Sequence, residues 1–383
     1  MDETFKFICL DPRKDKRAKI TTLLSPLGTL TWRRLPPVRL RNFPETAKRA
    51  ETALLASKHV PPKGWKRALW LRTLKLQYNG SRALFESNKK AVAVGWNGLN
   101  GSRRVFMDAA KDAGVRTLFF ELGPFPGRVT VDPHGVNFAN ALPRDPAPYL
   151  AWAKAAGHDA AAWRNLKKHV KQRPPETPPE AGDGLPPLTD PFVFIPLQVP
   201  GDSQLRLFGG DFKTVDSFVL ALKDAAKSLP TGWHLRLKEH PSTPPIARAL
   251  LQDASGPIHL DNATDTFAQV AASRGVMTIN SSVGLESMFF DKPVVACGQC
   301  FWAIDGMAQR ATKETLSEVL SAADQWHYDP EVRDAVMLFL SEVYYPDTSS
   351  DQDTIRNASI RHRISEPDDP MAWGRPLQQS ASS

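Results

Sequence analysis

The sequence predicts an α/β protein of two doubly wound domains facing a cleft. Three observations carry that expectation. Short apolar runs recur along both halves of the chain and are followed by helical patterns, the alternation of parallel βα units. Residues 173–191 are too rich in Pro and Gly to form a helix interior or a central strand, and read as a linker between two such arrays. Polar strings stand directly after several apolar runs, at the strand ends where open α/β sheets bind their ligands.

The elements follow in order. Phe5-Lys-Phe-Ile-Cys-Leu10 and Leu27-Gly-Thr-Leu-Thr-Trp32 read as the first strands. A basic helical region comes next, then Ala91-Val-Ala-Val-Gly95 as a buried strand and Trp96-Asn-Gly-Leu-Asn-Gly101 as a tight loop. A helix is expected over 103–113 and a strand from Val115, ending at Glu121. Gly95, Gly98 and Gly101 lack the spacing of the dinucleotide fingerprint, so this loop is turn chemistry, placed near an acceptor. After the linker, strands are expected at 192–197, 234–238, 257–260, 276–279 and 293–296. Helices are expected at 215–227, 246–252, 267–273, 283–290 and 313–323, and a further one at 330–343 that packs back across the domains. The division is an N-terminal α/β domain (1–172), the linker (173–191), a C-terminal α/β domain (192–346) and a polar tail (347–383). The tail is expected to fray, at the least beyond Arg375. Two Rossmann-like domains, a linker and polar strand tips facing a cleft are the layout of the GT-B glycosyltransferases.

Composition narrows the class. A chain of 383 residues buries enough surface for two domains. No apolar run is long enough to cross a bilayer, and the start Met-Asp-Glu-Thr-Phe-Lys lacks the basic and apolar stretches of a signal peptide. A cytoplasmic protein is therefore expected. Cys9, Cys297 and Cys300 are too few for a disulfide framework. Cys297 and Cys300 form one C-x-x-C without the second pair a zinc site needs, so they read as ordinary thiols and no metal is expected. The net charge is +8 and uneven: from Arg33 to Lys90, fifteen Lys and Arg face only Glu45, Glu51 and Glu86, with Trp32, Trp65 and Trp70 interleaved. Such basic amphipathic helices suit an anionic membrane surface or an anionic acceptor, and a peripheral place on the inner face of the cytoplasmic membrane. A solvated helical face is the plainer alternative. No nucleic-acid motif is present, and nucleic acid is not the expected partner.

Five strings carry residues suited to chemistry. Asn280-Ser281-Ser282 lies between a strand and a helix, where Ser or Asn caps the helix and the free N–H groups attract phosphate. Glu286, one turn on, suits a ribose or is a plain surface residue. Lys238-Glu-His240-Pro241 closes a strand; Pro241 restrains the backbone at His240, which aims the imidazole at a phosphate beside the charge of Lys238. Gln198-Val-Pro-Gly-Asp202 turns so as to expose a carboxylate that serves as nucleophile, base or turn-former. Glu121 ends a strand of the first domain, and a carboxylate on each side of a cleft suits glycosyl chemistry. Arg128, Asp132, His134 and Asn137 follow as candidate substrate contacts. There is no P-loop, H-E-x-x-H or G-x-S-x-G, and the one D-x-D, at 351–353, lies in the tail.

These strings together resemble the capsule polysaccharide biosynthesis family that includes the retaining β-Kdo transferases, Kdo being 3-deoxy-D-manno-oct-2-ulosonic acid. The matching strings are Phe120-Glu121-x-Gly123, Asp132-x-x-Gly135-Val-Asn137, Pro196-Leu-Gln198-x-x-x-Asp202, His240-Pro241 and Ile279-Asn-Ser-Ser-Val-Gly-Leu-Glu286. The resemblance implies a GT-B fold and CMP-Kdo as donor substrate, without a cofactor. It implies that His240, Ser281 and Ser282 hold the CMP phosphate. It puts Asp202 in the place of the nucleophile and Glu121 in that of a glutamate typical of the family, to which we assign acid/base work. The expected acceptor is a capsular polysaccharide or glycolipid. Transfer from another nucleotide sugar, and a non-catalytic role in capsule assembly or export, are the alternatives.

Overall fold

A computed structural model describes residues 4–11, 13–57, 62–157, 159–170, 184–240, 246–252, 256–348 and 353–381. Most of the linker, 173–183, and Pro241 lie outside the described residues. The first sheet contains β1 (Phe5–Leu10), β2 (Gly28–Arg33), β3 (Val92–Trp96), β4 (Arg116–Leu122) and β5 (Val129–Asp132), in the order β2-β1-β3-β4-β5. The first four strands are parallel and β5 runs antiparallel to β4. The connecting helices are α1 (Lys14–Leu24), α2 (Thr46–Leu55), α3 (Gly64–Glu86) and α4 (Gly101–Asp112). Strand alternation divides the side chains. Ile8, Leu10 and Ala93 face α2, α3 and α4, whereas Phe7, Cys9, Val92 and Val94 face α1 and the far end of the chain.

After α5 (Ala147–Ala156), the second sheet is built from β6 (Phe192–Pro196), β7 (His234–Lys238), β8 (Ile258–Leu260), β9 (Gly275–Thr278), β10 (Val294–Ala296) and β11 (Gln309–Arg310). All pairs are parallel, in the order β11-β10-β9-β6-β7-β8. Its helices are α6 (Ser203–Phe208), α7 (Val215–Ala225), α8 (Ile246–Leu250), α9 (Thr266–Ala272), α10 (Ser282–Glu286) and α11 (Leu316–Ser321). The chain then runs through α12 (Pro330–Phe339), α13 (Asp353–Ser365) and α14 (Arg375–Ala381). Two parallel α/β sheets connected in this way are the GT-B fold.

The expected alternation is observed, with seven elements more: α1, β5, α5, α6, β11, α13 and α14. The polar tail is corrected. Its described residues from 353 form α13, a short turn and α14, so the stretch beyond Arg375 is helical as far as Ala381. Ile360 and Ile364, one turn apart on α13, are buried in the core of the first sheet. The buried guanidinium of Arg363 donates to the carbonyls of Val131, Val343 and Tyr344. Two apolar anchors and one braced cation suffice to dock a helix whose composition is otherwise polar. A single apolar core also spans the chain, joining Phe125, Leu142, Tyr149, Trp152 and Trp163 to Phe289, Trp302, Phe339 and Trp373.

Beneath the second sheet, the Arg236 guanidinium donates twice to Asp261 Oδ2, at 2.9 and 2.7 Å, in a nearly dry setting. Beside it the imidazole of His234 stacks on Phe192, with ring centroids 5.4 Å apart. Burial, with His259 and Arg236 nearby, pulls the His234 pKa down to about 4. The unfolded chain takes up that proton at the ordinary histidine value of about 6.5, so the neutral ring favours the fold above that pH. The contribution is lost as the pH falls from about 6.5 towards about 4. We expect the melting temperature to fall over this window, and His234→Phe to fall less steeply. Identical pH slopes for the two proteins would contradict it.

Candidate active site

The strand order explains why three distant strings meet. β6 lies between β9 and β7, so Gln198 emerges between Asn280 and His240. Gln198 Nε2 donates to Asn280 Oδ1 at 2.8 Å, and the Asn280 N–H donates back to Gln198 Oε1 at 3.2 Å. Asn280 Nδ2 donates to the Gln204 carbonyl at 3.2 Å. One buried amide pair thereby fixes the tips of β6 and β9 to α6. Both residues are structural clamps of the site before they are ligands of anything.

Gly201, with φ of 77°, turns the chain into α6, and Asp202 caps that helix. Its Oδ1 accepts from the Gln204 N–H at 3.0 Å and from Ser203 Oγ at 3.4 Å. Oδ2 has no hydrogen bond among the described residues. The carboxylate is thus half-exposed, oriented by one oxygen and open at the other. Helix α6 also touches the first domain. The rings of Phe208 and Phe138 lie 5.7 Å apart, and Arg206 donates to the carbonyls of Ser57 and Leu55 at the end of α2. Asp202 therefore starts the helix that bridges the two sheets.

Ser281 caps α10, its hydroxyl accepting from the Val283 N–H at 3.3 Å, and Ser282 is exposed beside it. Gly284 lets α10 approach closely: a Cβ there would lie 2.6 Å from the Trp302 ring. Glu286 is half-buried at the end of α10. His240 is half-buried and lines a small pocket with Leu197, Gln198, Pro200, Glu239 and Ile246. Glu239 is occupied, since its Oε1 accepts from the Ala247 N–H and its Oε2 from Asn262 Nδ2.

Lys238 departs from expectation. Alternation along β7 puts it on the face of Arg236, and its buried ammonium donates to the carbonyls of Asn262 and Thr264 at 2.6 and 2.7 Å. Burial pulls its pKa down. It braces the loop after β8 instead of presenting charge to a phosphate.

On the first domain, Glu121 stands near the end of β4 and is held by the neighbouring strand. Trp96 Nε1 donates to Oε1 at 3.1 Å, Asn97 Nδ2 to Oε2 at 2.8 Å and the Leu122 N–H to Oε1 at 3.0 Å. Asn97 takes φ of 64° to do so. Trp96 and Asn97, expected only as part of a tight loop, are the side chains that hold Glu121. Their signal was the parallel pairing of β3 with β4, which brings both strand ends to one level. Among the described residues, no hydrogen bond or ion pair joins Glu121 to the second domain.

Two of the candidate substrate contacts are structural. Asp132 is fully buried, accepting from the backbone N–H groups of His134, Gly135 and Ala141 and from Tyr344 Oη at 3.1 Å. Burial raises its pKa against those bonds. Arg128 donates to the carbonyls of Ser341 and Tyr345 and so ties β5 to the end of α12. His134 pairs with Asp368 at 2.9 Å on the surface. Asn137 is half-buried, with φ of 57°, in the short turn that meets α6, and of the four it is the one beside the bridge. Cys297 and Cys300 are buried free thiols whose pKa values burial raises, a setting for packing and not for nucleophilic use.

The two α/β sheets and their strand order give the chain a GT-B fold. Residues 160–340 match the family described as capsule polysaccharide biosynthesis protein. The chain is 29% identical to the protein FixF of Sinorhizobium fredii (strain NBRC 101917 / NGR234) over 66% of this chain and 60% of FixF. It is 26% identical to the capsule polysaccharide modification protein LipB of Neisseria meningitidis serogroup A over 43% of each chain. The chain thus spans less than two thirds of these relatives. Among solved structures it is similar to the β-Kdo 2,7 transferase of Thermosulfurimonas dismutans KpsC, at 14% identity, 88% coverage of this chain, 89% of that chain and a TM-score of 0.49.

Proposed function

We propose that this protein is a glycosyltransferase that moves Kdo, or a related acidic sugar, from a CMP donor to a capsular polysaccharide or glycolipid acceptor, with retention at the anomeric carbon. It would work at the inner face of the cytoplasmic membrane. The observation that carries the reading is Asp202: one oxygen is fixed as a helix cap, the other is open, and its helix spans the two domains. In the first step Asp202 Oδ2 forms a bond to the anomeric carbon while the bond to the CMP oxygen breaks and CMP leaves with the electron pair. In the second, Glu121 takes the proton of the acceptor hydroxyl, the acceptor oxygen attacks the same carbon and the Asp202 carboxylate is released. The steps balance without a cofactor. A single phosphate requires less positive charge than a diphosphate, and Ser281, Ser282 and His240 are the groups that would hold it.

His240→Ala is expected to weaken CMP binding by about 1–3 kcal/mol, the loss of one hydrogen bond to a charged group. Calorimetry on the folded variant tests this; unchanged affinity would remove His240 from the nucleotide site. Transfer assays with CMP-Kdo and lipid-borne saccharides test the activity itself. Absence of both transfer and donor hydrolysis would favour a binding role in capsule assembly.

A further inference from the structure

The basic helices remain unused by the chemistry above, and their surface is built in a particular way. Leu35, Val38 and Leu40 are exposed on the segment before α2, and Trp65, Leu69 and Trp70 on the first turns of α3. Trp65 and Leu40 are 72% and 80% exposed. This is not a frayed loop: the Arg39 N–H donates to the Leu76 carbonyl at 3.0 Å, and Asn79 Nδ2 to the Arg39 carbonyl at 3.2 Å. Both bonds hold the segment against α3 while its apolar side chains point to solvent. Arg34, Arg39 and Arg41 stand on the same segment, and Lys63, Lys66 and Arg72 at the start of α3, all exposed and without an ion pair among the described residues. The acids of the region are engaged elsewhere, Glu51 with Arg67, Glu86 with Arg82 and Lys89, and Glu45 with Tyr78. Exposed Trp and Leu side chains interleaved in sequence with uncompensated cations have the chemistry of a surface that enters the headgroup layer of an anionic bilayer. Helix α6, which starts at Asp202, meets the end of α2 in the same basic region, where Arg206 donates to the carbonyls of Leu55 and Ser57.

We infer that the face formed by residues 34–41 and the first turns of α3 docks on an anionic lipid surface and sets the mouth of the cleft beside it. The inference deepens the proposed function by naming the surface that would meet a lipid-borne acceptor. The assay needs neither donor nor acceptor, so it fails or succeeds separately from transfer activity.

The full chain is mixed with phosphatidylcholine vesicles, with or without phosphatidylglycerol, and floated at low and high salt. Binding should require phosphatidylglycerol and fall roughly tenfold or more from low to high salt. Trp65→Glu with Leu69→Glu should reduce it by a similar factor, as should Lys63→Glu, Lys66→Glu and Arg72→Glu together, with circular dichroism unchanged. Conservative Trp65→Phe should retain it. No binding to anionic vesicles, equal binding to neutral ones, or full binding by both folded variants would overturn the inference. So would sedimentation showing that the Trp65→Glu, Leu69→Glu variant dissolves a dimer, or binding of an RNA oligonucleotide in place of vesicles.

Discussion

Asp202→Asn should abolish transfer while leaving the fold and CMP affinity in place. Asparagine is as good a helix cap as aspartate, so the bond to the Gln204 N–H that starts α6 survives. What is lost is the open carboxylate oxygen, and an amide cannot form the glycosyl ester. Loss of a nucleophile costs about 10³-fold or more in turnover. A melting temperature within a few degrees of the parent, with turnover at background, is the expected pair of results. Near-normal transfer would return Asp202 to the role of a turn residue.

Glu121→Gln should slow turnover by about 10²- to 10⁴-fold, the range for removing a general base. The glutamine oxygen can still accept from Trp96 Nε1, but its amide nitrogen cannot accept from Asn97 Nδ2. The side chain stays near its place and loses its basicity. Because CMP leaves without help from Glu121 in this scheme, the first step persists and the second stalls. A variant that loses CMP binding instead would show that Glu121 shapes the site and does not move a proton.

Much of this was legible in the sequence because parallel strands announce themselves. Phe192–Pro196 and Val92–Trp96 are buried runs, and the polar strings after them could only lie at one rim. The resemblance strings then singled out Asp202 and Glu121. What stayed hidden depends on tertiary contacts that leave no local pattern. Lys238 looks like a phosphate ligand until the face it occupies on β7 is known, and only strand pairing reveals the carbonyls of Asn262 and Thr264 beside it. Asp132 and Arg128 look available until α12 and the residues after it return across the first sheet. The docking of α13 rests on Ile360 and Ile364, too few apolar residues to lift a polar segment above its surroundings.

The central claim is a sugar carried on Asp202. The direct test is to incubate the Glu121→Gln protein with CMP-Kdo, without acceptor, and to map the modified peptide by mass spectrometry. The account predicts a mass gain of one Kdo residue on the peptide that contains Asp202, absent from the Asp202→Asn, Glu121→Gln double variant. An unmodified Asp202 in protein that releases CMP, or the sugar on a different carboxylate, would contradict it.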